Sequence, residues 1–307
     1  MKVLISGHNG FIGKHLRRQI ACSKNEILVD YLSKSDFKSS ELLENKISPN
    51  DLIFHFAGVN RDTSEDKVFK KNIQINQTLH SALEKIDFKG KLVFASSIQE
   101  KHNTLYGKSK KDSRLRFQKQ SELLGYEFIG LILPNVFGPF CKPNYNSFIA
   151  TFSSMIIDGK KPKIIDDKII ELLYVNDLTN ELSKIITSSK KLNIENYVRK
   201  IKVSKTLDKL VYFHNEYFDN GHIPVFNSDF DVSLFNTYRS YINVKEFFPK
   251  PYKLSSDDRG DFTETLRSGS KGQASYSTTK PTKIRGGHFH TRKIERFSII
   301  SGKAKII

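Results

Sequence analysis

Ser97, Tyr106 and Lys110 are the residues of this 307-residue chain best suited to move a proton. Tyr106 and Lys110 lie four apart at the opening of a helix-compatible segment, a spacing that sets both side chains on one face. A free tyrosine titrates near about 10, and a neighbouring ammonium favours the phenolate, so the pair predicts a phenol shifted toward proton transfer. Ser96 and Ser97 end the apolar run Lys91-Leu92-Val93-Phe94-Ala95, which reads as a strand. Its carboxyl end is the edge of an open α/β sheet where ligands bind. There a serine can hydrogen-bond a reacting oxygen, a tyrosine can give or take the proton, and a lysine can hold a nicotinamide ribose while tuning the tyrosine. Tyr-x3-Lys alone is common in a lysine-rich chain, so its weight depends on the elements around it.

The first of these elements is the N-terminal tract Ser6-Gly7-His8-Asn9-Gly10-Phe11-Ile12-Gly13. It follows Lys2-Val3-Leu4-Ile5, a buried parallel strand by composition, and precedes Ile12, Leu16 and Ile20, whose spacing marks one helix face. Strand, glycine turn and helix are the context a dinucleotide cradle requires, and the tract Gly7, Gly10, Phe11, Ile12 and Gly13 is assigned to the cofactor. A second strand, Glu26 to Leu32, carries Asp30 about 20 residues beyond the glycines, where a carboxylate takes the ribose hydroxyls of NAD. Ser33 and Lys34 follow and could instead hold a 2′-phosphate, so NAD and NADP both stay open. A third strand, Asp51 to Phe56, runs into Ala57-Gly58, small enough for backbone contact with a cofactor ribose; His55 within it reads as a packed strand residue.

The formal charge is +17, from 50 Lys and Arg against 33 Asp and Glu. The lysines are scattered and accompany no nucleic-acid motif, so nucleic acid is not an expected partner; a positive field suits a dinucleotide or a UDP-sugar. The two cysteines, Cys22 and Cys141, give neither a disulfide framework nor zinc spacing. No segment is apolar over the ~18 residues of a membrane span, and the chain starts directly in a strand, so a cytoplasmic protein without membrane insertion is expected.

At Ser97, Tyr106 and Lys110, over about residues 1 to 243, the chain resembles the extended short-chain dehydrogenase/reductases that act on nucleotide sugars. Further matching residues are Asn72, the run Pro134-Asn135-Val136-Phe137-Gly138-Pro139 and the run Tyr174-Val175-Asn176-Asp177-Leu178. The resemblance implies an α/β, Rossmann-type doubly wound parallel sheet with a nucleotide-sugar subdomain. It also implies Ser97 as catalytic serine, Tyr106 as acid/base, Lys110 as its partner and Asn135 on the substrate. The polar and aromatic stretch 140–148 would lie over the substrate cleft, with Lys142, Asn144, Tyr145 and Asn146 facing sugar or diphosphate and Cys141 packed inside. Two departures are evident. No arginine occurs between Gly130 and Leu133, and Ser97-Ile98-Gln99 stands where 4,6-dehydratases carry Thr-Asp-Glu, so dehydration is not expected.

The pattern changes near Asn243 to short runs separated by Gly and Pro, which suggests β structure over residues 244–307. Asp257-Asp258-Arg259-Gly260-Asp261-Phe262-Thr263-Glu264, Gln273 and Arg285-Gly286-Gly287-His288-Phe289-His290 resemble the cupin-type sugar-nucleotide epimerases. His288-x-His290-x4-Glu295-x6-Gly302 fits the first cupin motif. Histidines two apart on a strand share a face, and Glu295 could complete a three-sided metal set; zinc needs a fourth ligand. The resemblance also gives His288 a role as the base that removes a proton α to a sugar ketone, so base and ligand remain alternatives for it.

Reductase followed by cupin resembles the CapF/WbjC family of bifunctional enzymes of capsule and O-antigen precursor synthesis. Cys141-Lys142-Pro143-Asn144-Tyr145-Asn146-Ser147 supports the match. The resemblance implies C3 epimerisation of a UDP-4-keto-6-deoxy sugar by the cupin, C4 reduction with NADPH by the reductase, and a homodimer. Ile307 lies five residues past Gly302, leaving 64 residues from Val244 for a jelly roll of eight strands. An incomplete cupin with impaired epimerase activity and weak Zn2+ binding is therefore expected. Two alternatives stand beside the reductase: a redox-neutral nucleotide-sugar 4-epimerase holding NAD tightly, and a non-catalytic dinucleotide-sensing scaffold, against which the intact Ser97, Tyr106 and Lys110 weigh.

Overall fold

A computed structural model describes residues 2–23, 26–187, 192–269 and 272–306. The elements run β1 (Val3–Ser6), α1 (Phe11–Ala21), β2 (Val29–Leu32), α2 (Ser40–Glu44), β3 (Leu52–His55), α3 (Glu65–Lys85), β4 (Lys91–Ser97), α4 (Leu105–Leu124) and β5 (Glu127–Leu133). They continue with β6 (Asn135–Phe137), α5 (Phe148–Ile157), β7 (Ile169–Tyr174), α6 (Val175–Thr187), β8 (Arg199–Lys202), α7 (Val203–Phe213), α8 (Asp229–Arg239) and α9 (Val244–Phe247). Last come β9 (Leu254–Asp257), β10 (Gly260–Arg267) and β11 (Gln273–Ser277).

The first five strands form one parallel sheet in the order β2-β1-β3-β4-β5. Every residue of β1 and of β3 is buried, as a strand covered on both faces must be. Alternate side chains feed two cores. Val3, Ile5, Phe54 and Val93 meet Leu16 and Ile20 of α1 and Leu178 and Leu182 of α6. Leu4, Ile53, Leu92 and Phe94 meet Leu79 and Leu83 of α3 and Phe117 of α4. Chain order reverses on either side of β1, which opens a crevice at the carboxyl ends of the strands.

A smaller lobe surrounds the sheet β6-β7-β8, with β6 and β7 parallel and β8 antiparallel. Phe137, Leu172 and Tyr174 pack there against Ile149, Phe152, Phe213, Leu234 and Tyr238. No helix among the described residues is long and apolar enough to cross a membrane.

The C-terminal region forms only the antiparallel sheet β11-β10-β9, and no closed barrel is seen among the described residues. The expected strand under His288 and His290 is not formed, and both residues lie in irregular chain. The region packs little: β9 and β11 are exposed along their whole length. It is joined to the smaller lobe through the bridge between Ile223 and Ser268. The second strand is also shorter than its apolar run suggests, Val29–Leu32 and not Glu26 to Leu32. Leu28, 68 % exposed, has no core to enter.

Phe117 is fully enclosed and rings His55, Phe94 and Phe128. Phe117→Ala should therefore cost about 3–5 kcal/mol, read as a lowered urea midpoint at unchanged m.

Candidate active site

Local rules set each part of the site. α1 begins at Gly10 without a side-chain cap and with no acidic residue in its first turn. Its first N–H groups are thus left for an anion, where a helix N-terminus favours negative charge. Gly7 turns the chain at φ +65°, and a Cβ on Gly13 would stand 2.3 Å from the Gly7 carbonyl oxygen, so the helix is seated directly on the turn. Phe11 and Ile12 open the helix, and Phe11 lies edge-on to His15 at 5.2 Å.

α4 starts at Leu105 because the Thr104 hydroxyl accepts the Gly107 N–H at 3.0 Å. A Cβ on Gly107 would lie 2.1 Å from the Gln99 carbonyl oxygen, so the first turn of α4 rests on the segment after β4. That contact brings Tyr106 and Lys110 to the edge that carries Ser97. Ser97 Oγ accepts the Gln99 N–H at 3.2 Å. Lys110, 6 % exposed, donates to the Ala95 carbonyl at 2.9 Å, with its Nζ 6.0 Å from the centre of the Tyr106 ring.

Burial pushes the Lys110 ammonium down to about 8, against the field of Glu100, which raises it. The phenol moves opposite to the direction expected from its spacing: burial, reinforced by Tyr145, pushes Tyr106 up to about 12. At 6.0 Å from the ring, Lys110 spends its hydrogen bond on Ala95 and not on the phenol. Among the described residues the Tyr106 hydroxyl has no hydrogen-bond partner.

Ala57 and Gly58 follow β3 and face this pair. A Cβ at Gly58 would come 3.2 Å from Asn72 Oδ1 and 3.3 Å from Lys110 Nζ, so glycine permits the approach. A buried hydrogen-bond chain lies beneath. Asn76 Nδ2 donates to the Asn72 carbonyl and to Ser113, which leaves its Oδ1 to accept from His55 Nε2 at 2.8 Å. His55 Nδ1 is then the acceptor for the Ser6 hydroxyl at 2.6 Å, and Ser6 Oγ accepts the Ala57 N–H at 3.1 Å. Burial pushes His55 down to about 4, so the imidazole is neutral.

Asp30 pairs with Leu4, two rungs below the strand end, and its carboxylate accepts the Tyr31 N–H at 2.7 Å and faces Lys2 at 3.8 Å. This acid is thus engaged by the residue just before β1 and by its own neighbour in β2. Ser33 and exposed Lys34 lie just past the carboxyl end of β2, although Ser33 donates to Asp36.

On the other side of the crevice, a cleft of about 740 Å³ is lined by Ser97, Gln99, His102, Asn135, Lys168 and Lys200. Asn135 Nδ2 donates to the Glu171 carbonyl at 3.4 Å. The loop with Lys142, Asn144, Tyr145 and Asn146 is held by a residue that spacing does not reveal, Arg61. Its guanidinium donates to the carbonyls of Asn144 and Tyr145 and lies 5.3 Å over the Tyr145 ring; Lys142 Nζ is 5.8 Å from the same ring. Cys141 is buried, with its thiol pushed up by burial.

The C-terminal residues come together only in part. His290 Nε2 is 3.3 Å from Glu295 Oε1 and the His288 and His290 rings are 4.8 Å apart. No group of three or more His, Cys, Asp or Glu among the described residues is arranged to hold a metal. The three-ligand set expected from the motif is therefore corrected, because the strand that would aim both imidazoles to one side is not formed, and no step is assigned to zinc.

A glycine turn on an uncapped helix, with serine, tyrosine and lysine converging at the next strand ends, defines an NAD(P)-binding nucleotide-sugar oxidoreductase or epimerase. The chain belongs to the NAD dependent epimerase/dehydratase family, whose pattern it matches over residues 3–198. Residues 255–307 match the polysaccharide biosynthesis C-terminal domain. The chain is 32 % identical over 310 residues to a UDP-2-acetamido-2,6-beta-L-arabino-hexul-4-ose reductase of Pseudomonas aeruginosa, covering 99 % of this chain and 82 % of the relative. It resembles the crystal structure of the capsular polysaccharide assembling protein CapF from Staphylococcus aureus at 28 % identity and TM-score 0.77, over 92 % of this chain and 76 % of that one. A Thermus thermophilus UDP-glucose 4-epimerase, 16 % identical with TM-score 0.61 over 78 % of this chain and 99 % of that one, shares the fold. The chain is thus a homologue of CapF and of the Pseudomonas reductase, and a nucleotide-sugar enzyme of polysaccharide biosynthesis.

Gly107→Ala should push α4 off the Gln99 carbonyl. A loss of about 1–3 kcal/mol in thermal unfolding, together with weakened dinucleotide binding, is the expected outcome.

Proposed function

We propose that this chain is an NADPH-dependent C4-ketoreductase of a UDP-4-keto-6-deoxy-N-acetylhexosamine, acting in the synthesis of a capsule or O-antigen precursor of the UDP-L-FucNAc type. The reading joins the site to the activity of the Pseudomonas relative, a UDP-2-acetamido-2,6-beta-L-arabino-hexul-4-ose reductase. One observation carries it: Tyr106 and Lys110 are brought to the strand end that carries Ser97, and burial, which raises the phenol, keeps Tyr106 in its acid form. Reduction at C4 leaves an alkoxide, which needs a proton from a positioned acid.

Bound NADPH supplies the hydride. Gly7, Gly10 and Gly13 give its pyrophosphate the backbone approach and the helix N-terminus, and Ala57, Gly58 and Lys110 hold its nicotinamide ribose. Ser97 hydrogen-bonds the ketone oxygen, and Tyr106 delivers the proton to it. Asn135 and the Arg61-held loop with Lys142, Asn144, Tyr145 and Asn146 receive the UDP-sugar.

For the 2′-phosphate we assign Ser33 and Lys34, because Asp30 is engaged by Lys2 and the Tyr31 N–H while Lys34 is exposed just past the strand. We further divide the chain at residue 243 and assign 244–307 to a cupin-type module in which His288 serves as the C3 base. The experiment is to mix the protein, NADPH and the UDP-4-keto sugar and to follow nicotinamide absorbance and product mass. Sugar interconversion without net NADPH consumption would point to a 4-epimerase.

Tyr106→Phe should abolish turnover while its NADPH dissociation constant stays within about threefold of wild type, because the phenol acts on the transferred proton. Lys34→Glu should weaken NADPH by about tenfold and leave NADH nearly unchanged, as expected for one lost charge-assisted contact. A preference of the unmodified protein for NADH would reverse the cofactor assignment.

A further inference from the structure

Three elements that carry the site, β4 with Ser97, the turn Ile98–Lys101 after it and α4 with Tyr106 and Lys110, converge on one carboxylate, that of Glu100. Ser96 donates its hydroxyl to Glu100 Oε1. Arg114, on α4, donates Nε at 2.9 Å to Oε1 and at 3.1 Å to Oε2, and Nη2 at 2.8 Å to Oε2. The Glu100 side chain is 6 % exposed and that of Arg114 19 %. The arginine stem has room because β5 carries Gly130, where a Cβ would lie 2.9 Å from Arg114 Cδ and from Cγ.

We infer that Glu100 and Arg114 are positioning residues of this site: their fork sets the turn after Ser97 against α4, the helix that carries Tyr106 and Lys110. The inference rests on the reading that Lys110 serves a bound dinucleotide.

The geometry is selective. Each carboxylate oxygen is occupied by α4, Oε1 also by β4, and a planar guanidinium matches this arrangement where a lysine would not. Gly107 seats α4 on Gln99 from one side, and the fork ties α4 to Glu100 from the other, so Ser97 and Tyr106 cannot drift apart without breaking one of the two. Burial alone would push the Glu100 carboxyl up; hydrogen bonds from Arg114 and Ser96 outweigh it and hold it below the usual range. Around Lys110 the titratable neighbours are Tyr106 on its own helix, neutral on account of its raised pKa, His55 on β3, neutral on account of its lowered one, and Glu100 on the turn. Glu100 is therefore the anion whose field opposes the desolvation of Lys110.

The sign follows from the lysine. Lys110 is charged below about 8 and loses its charge as pH rises through that value, so NADPH affinity should fall there. Without the Glu100 anion the fall should begin at lower pH.

The test compares wild type, Glu100→Gln and Arg114→Lys as full chains, with NADPH affinity measured by nicotinamide fluorescence against pH and kcat and KM measured for the keto sugar. In Glu100→Gln the alkaline loss of affinity should move to lower pH and kcat should fall about tenfold to a hundredfold, with KM for the sugar within about twofold. Arg114→Lys keeps the charge but not the fork, so kcat should fall while the alkaline loss stays in place. Wild-type kcat with an unmoved alkaline loss in Glu100→Gln overturns the inference. If Glu100→Gln does not fold, unchanged kcat in Arg114→Lys overturns it equally. A wild-type protein that binds neither NADPH nor NADH refutes instead the proposed function on which it rests.

Discussion

A lysine ammonium packed under the end of β4 sets the conditions for everything around it. Lys110 is buried, so its charge must be stabilised locally, by the Ala95 carbonyl at 2.9 Å and the field of Glu100, and burial still pushes it down to about 8. Desolvation of a cation is costly unless hydrogen bonds replace its water, and such groups shift their pKa before they tolerate isolation. Gly58 is small because a methyl there would reach Lys110 and Asn72; Gly107 is small because α4 must approach Gln99 to bring the lysine in. The same burial keeps Tyr106 protonated. Oxidoreductase or epimerase chemistry on a sugar is served by that combination, a cation that orients and an acid that stays loaded.

The parallel sheet makes the arrangement possible at low cost in precision. Ser6, His55 and Ser97 are the last residues of β1, β3 and β4, and the pairing of Ser6 with His55 in register fixes their relative heights. Backbone hydrogen bonds thereby place groups far apart in sequence at one edge. The Ser6–His55–Asn76 chain then connects the sheet to α3, and Ser113 carries it to α4. A neutral imidazole with one donor and one acceptor nitrogen suits a relay of this kind, and its burial at pKa about 4 holds it in that form.

Much of this was legible in the chain alone. The glycine turn, the apolar runs of β1, β3 and β4 and the four-residue step from Tyr106 to Lys110 are local patterns, and each appears where its period or turn chemistry places it. Arg61, Glu100 and Arg114 were not legible, because their roles depend on partners 83, 14 and 14 positions away, respectively. Gly130 was a usable signal: a glycine inside a strand marks a close approach, here that of the Arg114 stem. The direction of the Tyr106 shift escaped the spacing argument because spacing reports proximity and not solvent access. Asp30 illustrates the same limit, since distance along the chain located the strand but not the partners its carboxylate takes, Lys2 and the Tyr31 N–H. In the C-terminal region the motif names the residues, while their placement depends on strand pairing that β9, β10 and β11 do not extend to His288.

The hydrogen-bonded order β2-β1-β3-β4-β5 has a kinetic corollary. Each parallel pairing closes a crossover, and β1 is hemmed in by two strands that emerge later in the chain. Long crossovers make assembly slow relative to local helix formation. The crevice for the dinucleotide comes into being only when β1 has both neighbours, β2 and β3, so the glycine turn gains its surroundings only after two crossovers have closed. A cradle encoded in the first few residues thus becomes competent only when chain made after it has folded back on both its sides, and cofactor capture reports on that pairing.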